Sequence, residues 1–351
     1  VNYRIASIPG DGIGVDVTIE ARKVLDTAAA KYGFSLSWQE FDWSCERYAK
    51  SGSMMPDDGV EQLSEFDGIL LGAVGFPGVP DHVSLWGLLI PLRRAFQQYV
   101  NLRPVRLLPG TTSALAGRTA DELEMVIVRE NSEGEYSAIG GRHNAGRPDE
   151  FVLQESVFTR VGVERIIRYA FELARSRSGH VTSATKSNGL IHSMPYWDEI
   201  FAEVAARYPD VPAQQCHVDA LAARMVQAPD RIDVVVASNL FGDVLSDLAA
   251  AVTGGLGMAP SGNINPSGEL PSMFEAVHGS APDIAGQGIA NPVAQILAAA
   301  MLLEHLGETV AAQAIRTSVD EVLTAGSART PDLGGTATTT ALGTVVAETL
   351  R

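Results

Sequence analysis

The chain has 351 residues, enough to bury more than one hydrophobic core, so size alone does not call for a disulfide or a metal to hold the fold. Forty-two acidic residues against twenty-six basic ones leave a formal net charge of −16, which repels phosphate backbones and anionic lipid and argues against nucleic acid or a membrane as partner. The same sign repels an acidic small molecule, so an anionic ligand would need a local cluster of arginines.

In chain order, apolar runs at 5–8, 69–74, 125–128, 181–185 and 234–237 read as buried strands, each with helical sequence nearby, which predicts an α/β fold. After the first run comes Gly10-Asp11-Gly12-Ile13-Gly14. The spacing departs from a Rossmann fingerprint, because the third glycine would fall on Val15, and a close-packed strand-to-helix turn explains the cluster equally well. Val17, Ala21, Val24, Leu25 and Ala28 then recur on one helical face, with Gly33 able to end the helix.

Arg93 and Arg103 flank an apolar stretch and Arg129 follows the third strand, so the three are candidates for the expected cluster. Guanidinium forks match planar carboxylates with paired, charge-assisted hydrogen bonds. Arg94 and Arg106 read instead as solvated surface residues. Between 136 and 160, Gly140, Gly141, Gly146 and Pro148 separate two β-prone stretches and suggest a projecting hairpin arm.

Cys45 and Cys216 are the only cysteines, in no C-x-x-C spacing, so neither a disulfide framework nor a thiolate zinc site is expected. A reducing cytoplasm fits that usage. Neither a charged leader nor an apolar run of about 18 residues is seen, and a soluble cytoplasmic chain is the expectation.

The strand at 233–237 leads into Asn239-Leu240-Phe241-Gly242-Asp243-Val244-Leu245-Ser246-Asp247. Asp243 and Asp247 stand at i and i+4, so a helix would project both carboxylates from one face, where like charges destabilise it unless a cation intervenes. Without a cysteine or histidine pair at hand, Mg2+ or Mn2+ is the natural choice, with Asp219 as a candidate third ligand. Two solvated acids near a helix start would look the same.

The stretch 275–292, Glu275-Ala276-Val277-His278-Gly279-Ser280-Ala281-Pro282-Asp283-Ile284-Ala285-Gly286-Gln287-Gly288-Ile289-Ala290-Asn291-Pro292, is rich in small residues that let backbone approach a ligand. Asp283 could accept hydrogen bonds from ribose hydroxyls and would repel a 2′-phosphate, which points to NAD over NADP. Asn291 suits an N-cap and Pro292 the first position of a helix that is apolar on nearly every face until Gly307.

With this stretch the chain resembles the β-decarboxylating dehydrogenases, a family that includes 3-isopropylmalate, isocitrate, D-malate and tartrate dehydrogenases. It is most similar to the tartrate and D-malate branch, through Phe41-Asp42-Trp43, Met54-Met55-Pro56, Val79-Pro80-Asp81-His82, Ser84-Leu85-Trp86-Gly87 and Val128-Arg129-Glu130-Asn131-Ser132-Glu133-Gly134-Glu135-Tyr136.

The resemblance implies an isopropylmalate dehydrogenase-like fold of two α/β domains, with the active site in the cleft between them and no Rossmann domain. Residues 1–98 and 252–351 would form the larger domain with most of the NAD site. Residues 99–251 would form the smaller one, with a dimerising arm at about 136–160. Homodimers, or tetramers of dimers, are implied, with shared active sites.

The same resemblance makes Arg93, Arg103 and Arg129 the substrate-carboxylate arginines and Asp219, Asp243 and Asp247 the metal ligands. It makes Tyr136 and Lys186 the catalytic pair, with Asp219 and Lys186 reaching the site from the partner subunit. Asn188 would contact the nicotinamide. The remaining cofactor contacts would come from Ile13 at the first turn, from Ala73 in the apolar run 69–74, and from Glu275, His278, Gly279, Ser280, Ala281, Asp283 and Asn291 in the glycine-rich stretch.

The implied reaction is oxidation of a 2-hydroxy dicarboxylate by NAD, followed by loss of carbon dioxide from the keto acid. Leu88, Leu89 and Ile90 offer no polar partner for a third carboxylate, which demotes isocitrate. Leu89 and Ile90 would also suit an isopropyl group, so 3-isopropylmalate stays as the alternative, while Trp86 favours the smaller D-malate or tartrate. Some similar tartrate enzymes use a monovalent cation such as K+, for which no residue pattern is visible. A non-catalytic regulatory or binding chain would be expected to lack catalytic or metal residues; Tyr136, Lys186, Asp219, Asp243 and Asp247 are all present.

Overall fold

A computed structural model describes residues 1–177 and 179–350. Twelve strands occur in them: β1 (Asn2–Gly10), β2 (Ser35–Glu40), β3 (Gly68–Ala73), β4 (Val100–Arg106), β5 (Glu124–Glu130), β6 (Gly140–His143), β7 (Phe151–Gln154), β8 (Val181–Thr185), β9 (Ala213–His217), β10 (Val234–Ala237), β11 (Pro260–Ile264) and β12 (Ser272–Ala276). Ten of them form one sheet in the order β2-β1-β3-β12-β11-β4-β5-β10-β8-β9, and β6 and β7 pair by themselves.

The sheet consists of two parallel blocks joined by antiparallel strands. β2, β1, β3 and β12 run parallel. β5, β10, β8 and β9 also run parallel to one another. β11 and β4 link the blocks through antiparallel pairings, so the two blocks point in opposite directions. The division at residues 98/99 and 251/252 falls between β11 and β4, which hydrogen-bond across it.

Strand periodicity sends alternate residues to opposite faces. On one face Ile5, Leu70, Phe274, Val126, Val128, Val234 and Val236 join a single apolar cluster with the helices Ile13–Tyr32, Arg160–Arg177, Ser193–Ala205, Val293–His305, Thr309–Ala325 and Thr339–Leu350. On the other face the apolar residues fall into two separate clusters. One centres on Ala6, Ile8, Ile69, Leu71 and Met273, the other on Met125, Ile127, Val235 and Ala237 with the helices Val218–Gln227 and Asn239–Val252. In the gap between them β4, β5, β11 and β12 present Asn101, Arg103, Arg129, Ser261, Asn263 and Glu275, a polar seam in the middle of an otherwise apolar sheet.

The first predicted helix is Ile13–Tyr32, ended by Gly33 in the left-handed conformation as its position implies. The all-round apolar helix is Val293–His305, buried along nearly its whole length. It starts one residue later than the sequence reading: Pro292 is the N-cap, and the Asn291 side chain caps from one position further out by accepting from Val293 N at 3.0 Å.

The arm is a two-stranded ribbon, with Gly140 opposite Gln154 and His143 opposite Phe151. Ile139, Phe151, Val152 and Leu153 stand exposed on it. No helix among the described residues is long and apolar enough to cross a membrane.

Candidate active site

The polar seam is where the three arginines meet. Arg93 arrives on the helix Ile90–Ala95, Arg103 from the middle of β4, and Arg129 near the end of β5. All three are less than a tenth exposed, and each lies within electrostatic reach of the other two.

Three buried cations repel one another and lose hydration, so they need counter-charges. Arg93 Nη2 donates to Glu275 Oε1 at 3.1 Å. Arg129 Nη1 pairs with Asp243, while Arg103 Nη1 lies 3.5 Å from Asp243 and 3.4 Å from Asp247. Burial, opposed by these carboxylates, holds Arg103 and Arg129 below the usual guanidinium range. Arg93 Nε and Arg103 Nε are buried without a hydrogen-bond partner in the chain, donors left for a ligand.

Asp243 and Asp247 do share one face of the helix Asn239–Val252. Gly242 brings that helix close, since a side chain there would lie 2.6 Å from the Arg129 side chain. Burial alone would raise the Asp243 carboxyl, but Arg129 and Arg103 outweigh it and hold it below the normal range. Asp247 is pushed up by its partial burial, with Arg103 opposing and Asp243 adding to the rise. Tyr136 OH donates to Asp243 Oδ2 at 2.7 Å, and the Arg129 guanidinium lies 5.5 Å from its ring centre. Burial and the bond to Asp243 push the phenol up to about 12, which keeps its proton in place.

Lys186 and Asp219 form a separate pair. They follow β8 and β9, two neighbouring parallel strands, and Lys186 Nζ donates to Asp219 Oδ1 at 2.8 Å, which holds Asp219 below the normal range. Within one chain no hydrogen bond or ion pair among the described residues joins either of them to Tyr136, Asp243 or Asp247, and no group of three candidate metal ligands forms. Two aspartates on one helix face still supply the hard oxygen donors that a cation such as Mn2+ or Mg2+ takes, with coordination positions left over.

The glycine turn after β1 is a packing device and also part of a cradle. Gly12, at φ +58°, lies so close to the loop at 280 that a Cβ would stand 2.1 Å from Ser280 O, and Ile13 N donates to that same oxygen at 2.8 Å. Ile13 packs with Ala281, Ile284 and Ala290. Ala73 O accepts from Asp11 N at 2.7 Å, and the buried Asp11 carboxylate accepts from the backbone N–H of Cys45, Glu46 and Gly75, pinning the turn.

In the stretch 275–292, His278 is kept neutral by burial, and its Nε2 is buried without a partner in the chain. Asp283 is exposed. An unpartnered imidazole nitrogen, a close-packed turn and a free carboxylate side by side suit a nucleotide cofactor. Two other expected contacts sit differently. Glu275 is engaged by Arg93 and Asn263, and Asn291 spends its amide on Asp332 and Val293. Asn188 is exposed in the turn after Lys186, and Gly279 and Ser280 lie in the loop beyond His278.

Trp86 and Leu89 belong to a π-turn, Leu85–Leu89, inside a longer helical run. Pro91 has no N–H for the carbonyl four residues back, and a widened turn absorbs the defect. Leu88 and Ile90 are buried in the core, which leaves Leu89 of the three apolar candidates partly open. Arg94 is exposed, as the sequence reading has it, but also stacks on Trp86 and donates to Tyr136 O at 3.1 Å. Arg106 departs from that reading, being only one-third exposed and paired with Asp320.

Several residues at the site had no role in the sequence reading. Asn239 and Ser246 hold arginines. Glu135 accepts from Ser238 Oγ and Leu240 N, tying the loop of Tyr136 to the start of the aspartate helix. A cavity of about 660 Å3 lies on the opposite face of the sheet, lined by Leu102, Tyr169, Phe274 and His305 among others, and none of the three arginines or three aspartates borders it.

The family and relatives that the chain matches define an oxidoreductase with a large mixed sheet. The chain belongs to the isocitrate/isopropylmalate dehydrogenase family, whose model matches residues 4–346. It is 57% identical over 344 residues to the D-malate dehydrogenase [decarboxylating] of Escherichia coli (strain K12), covering 96% of this chain and 95% of that protein. It is 52% identical over 358 residues to the tartrate dehydrogenase/decarboxylase of Pseudomonas putida, covering 99% and 98%. Among solved structures, an isocitrate dehydrogenase from Methylococcus capsulatus aligns over 99% of both chains with a TM-score of 0.90 at 38% identity.

Proposed function

We propose that the chain oxidises D-malate or tartrate with NAD in the presence of Mn2+ or Mg2+, and that the keto-acid product loses carbon dioxide where its structure allows. The observation that carries this reading is the convergence of Arg93, Arg103 and Arg129 around Asp243, with Asp247 beside Arg103 and the Tyr136 hydroxyl donating to Asp243. The relatives named for D-malate and tartrate support the substrate choice. Two domains, 1–98 with 252–351 and 99–251, would face each other across the seam.

The arginines would bind the two carboxylates of the substrate and present C2 to the acids. A divalent cation held by Asp243, Asp247 and Asp219 of the partner subunit would polarise the C2 oxygen and the carboxylate beside it. Lys186 of the partner subunit, directly or through water, would take the C2 hydroxyl proton as the C2 hydride leaves for NAD. When the carboxylate β to the new ketone departs as carbon dioxide, its bonding electrons pass to C3, where Tyr136 delivers a proton.

Pairing of Lys186 with Asp219 on adjacent strand ends means that both would arrive together from a second copy. The exposed apolar ribbon is the natural contact for that copy. Val152→Asp is expected to shift the chain from dimer toward monomer in size-exclusion chromatography with light scattering and to lower activity in parallel; an unchanged dimer would remove the arm from the interface.

The deciding assay offers D-malate, the tartrate isomers, 3-isopropylmalate and isocitrate with NAD and Mn2+, before and after chelation by EDTA. D-malate or tartrate should be turned over best, and EDTA should abolish the reaction. Preference for 3-isopropylmalate would reject the substrate, and no turnover of any would favour a non-catalytic binding chain. Asp283→Lys should raise the KM for NAD and lower that for NADP, because a cation replaces a carboxylate at the ribose. Unchanged saturation by both cofactors would remove Asp283 from the site.

A further inference from the structure

The helix Asn239–Val252 presents more than two acids to the seam. Residues 239, 243, 246 and 247 are spaced 0, +4, +7 and +8, which places them on one face. Asn239 and Ser246 are 4% and 1% exposed, so water cannot replace their contacts.

Arg129 Nε and Nη2 both donate to Asn239 Oδ1, at 3.0 and 2.7 Å, which occupies one edge of the guanidinium, while Nη1 pairs with Asp243. The amide can face only one way, since Asn239 Nδ2 donates to Glu133 O at 3.0 Å. Ser246 makes a matching arrangement: its hydroxyl donates to Asp243 O at 2.9 Å, which turns its lone pairs toward Arg103 Nη1 at 2.7 Å. Carboxylates also reach all three guanidinium groups, Glu275 at Arg93, Asp243 at Arg129 and Asp243 with Asp247 at Arg103, but only Arg129 and Arg103 have an uncharged side-chain acceptor as well.

We propose that Asn239 and Ser246 are positioning residues for the dicarboxylate substrate, uncharged acceptors that fix Arg129 and Arg103 in place without cancelling their charge. The inference rests on reading the arginines as the dicarboxylate site. A carboxylate in either place would restrain the guanidinium equally well but compete with the ligand for it.

The test compares Asn239→Ala, Asn239→Asp and Ser246→Ala by steady-state kinetics with D-malate and tartrate, and by calorimetric binding of malonate, which reads the arginines without turnover. Ser246→Ala removes one oxygen from a helix that tolerates alanine, so it reports even if the Asn239 variants fold poorly. Both alanine variants should raise the dicarboxylate KM and the malonate Kd by about tenfold or more while the KM for NAD stays within about twofold, as expected for hydrogen bonds to a charged group. Asn239→Asp restores the acceptor oxygen and should rescue nothing.

Rescue by Asn239→Asp would show that geometry alone matters and overturn the proposal, as would a parallel rise in the KM for NAD. Malonate affinity untouched by the substitutions would overturn it whatever the turnover. A wild-type chain that turns over no dicarboxylate, combined with malonate binding lost in the variants, would reject the reaction and keep the positioning role.

Discussion

Lys186→Ala should slow oxidation of the hydroxy acid by about 10^2- to 10^4-fold, the range that a positioned general base contributes. Lys186 pairs with the exposed Asp219 and, among the described residues, makes no hydrogen bond or ion pair to the arginine cluster, so its removal leaves that cluster and its carboxylates intact. The KM for the dicarboxylate should therefore move much less than kcat. Stopped-flow measurement of NADH formation checks it: hydroxy-acid oxidation at the wild-type rate would remove the lysine from the proton transfer.

The second large effect belongs to Tyr136→Phe. The hydroxyl donates to Asp243, and its acidity is suppressed to about 12, so near neutral pH the phenol is a proton source and not a base. Oxidation needs a proton removed, whereas completion after loss of carbon dioxide needs one delivered, so the substitution should separate the two halves. NADH formation should fall modestly while the final decarboxylated product drops by about 10^2-fold or more. Following NADH, carbon dioxide and final product separately distinguishes the cases, and equal losses in all three would reject the assignment.

Much of this arrangement was legible in the residues, and the remainder fails to show for physical reasons. β1, β3, β5 and β10 announce themselves by apolar runs, as buried strands with covered faces do, and β8 by a short run of small and β-branched residues, Val181 to Thr185. β2 and β9 sit at the sheet edges and carry polar residues, so no apolar run marks them. β4 contains Pro104 and three polar residues, Asn101, Arg103 and Arg106, which look unlike a central strand until the antiparallel link between the two blocks is known.

At the site, helical spacing alone places Asp243 and Asp247 together, and their company singles out three arginines among many. Asn239 and Ser246 lie in the same stretch but do not stand out there, because an amide and a hydroxyl declare no chemistry until the guanidinium they hold is in view. The π-turn at Leu85–Leu89 was signalled only by Pro91 inside a helical run. On the proposed reading Asp219 and Lys186 would meet the other residues across a second copy of the chain, and no periodicity within one sequence encodes that.

The seam is also an electroneutral assembly: three guanidinium groups face Glu275, Asp243 and Asp247, and the Lys186–Asp219 pair adds nothing to the sum. A dianion entering alone, or a dication entering alone, would leave two units of uncompensated charge in a poorly hydrated place, whereas the two together cancel. Each should thus tighten the hold on the other by the same factor, as thermodynamic reciprocity requires, and the midpoint for malonate should fall as Mn2+ is raised.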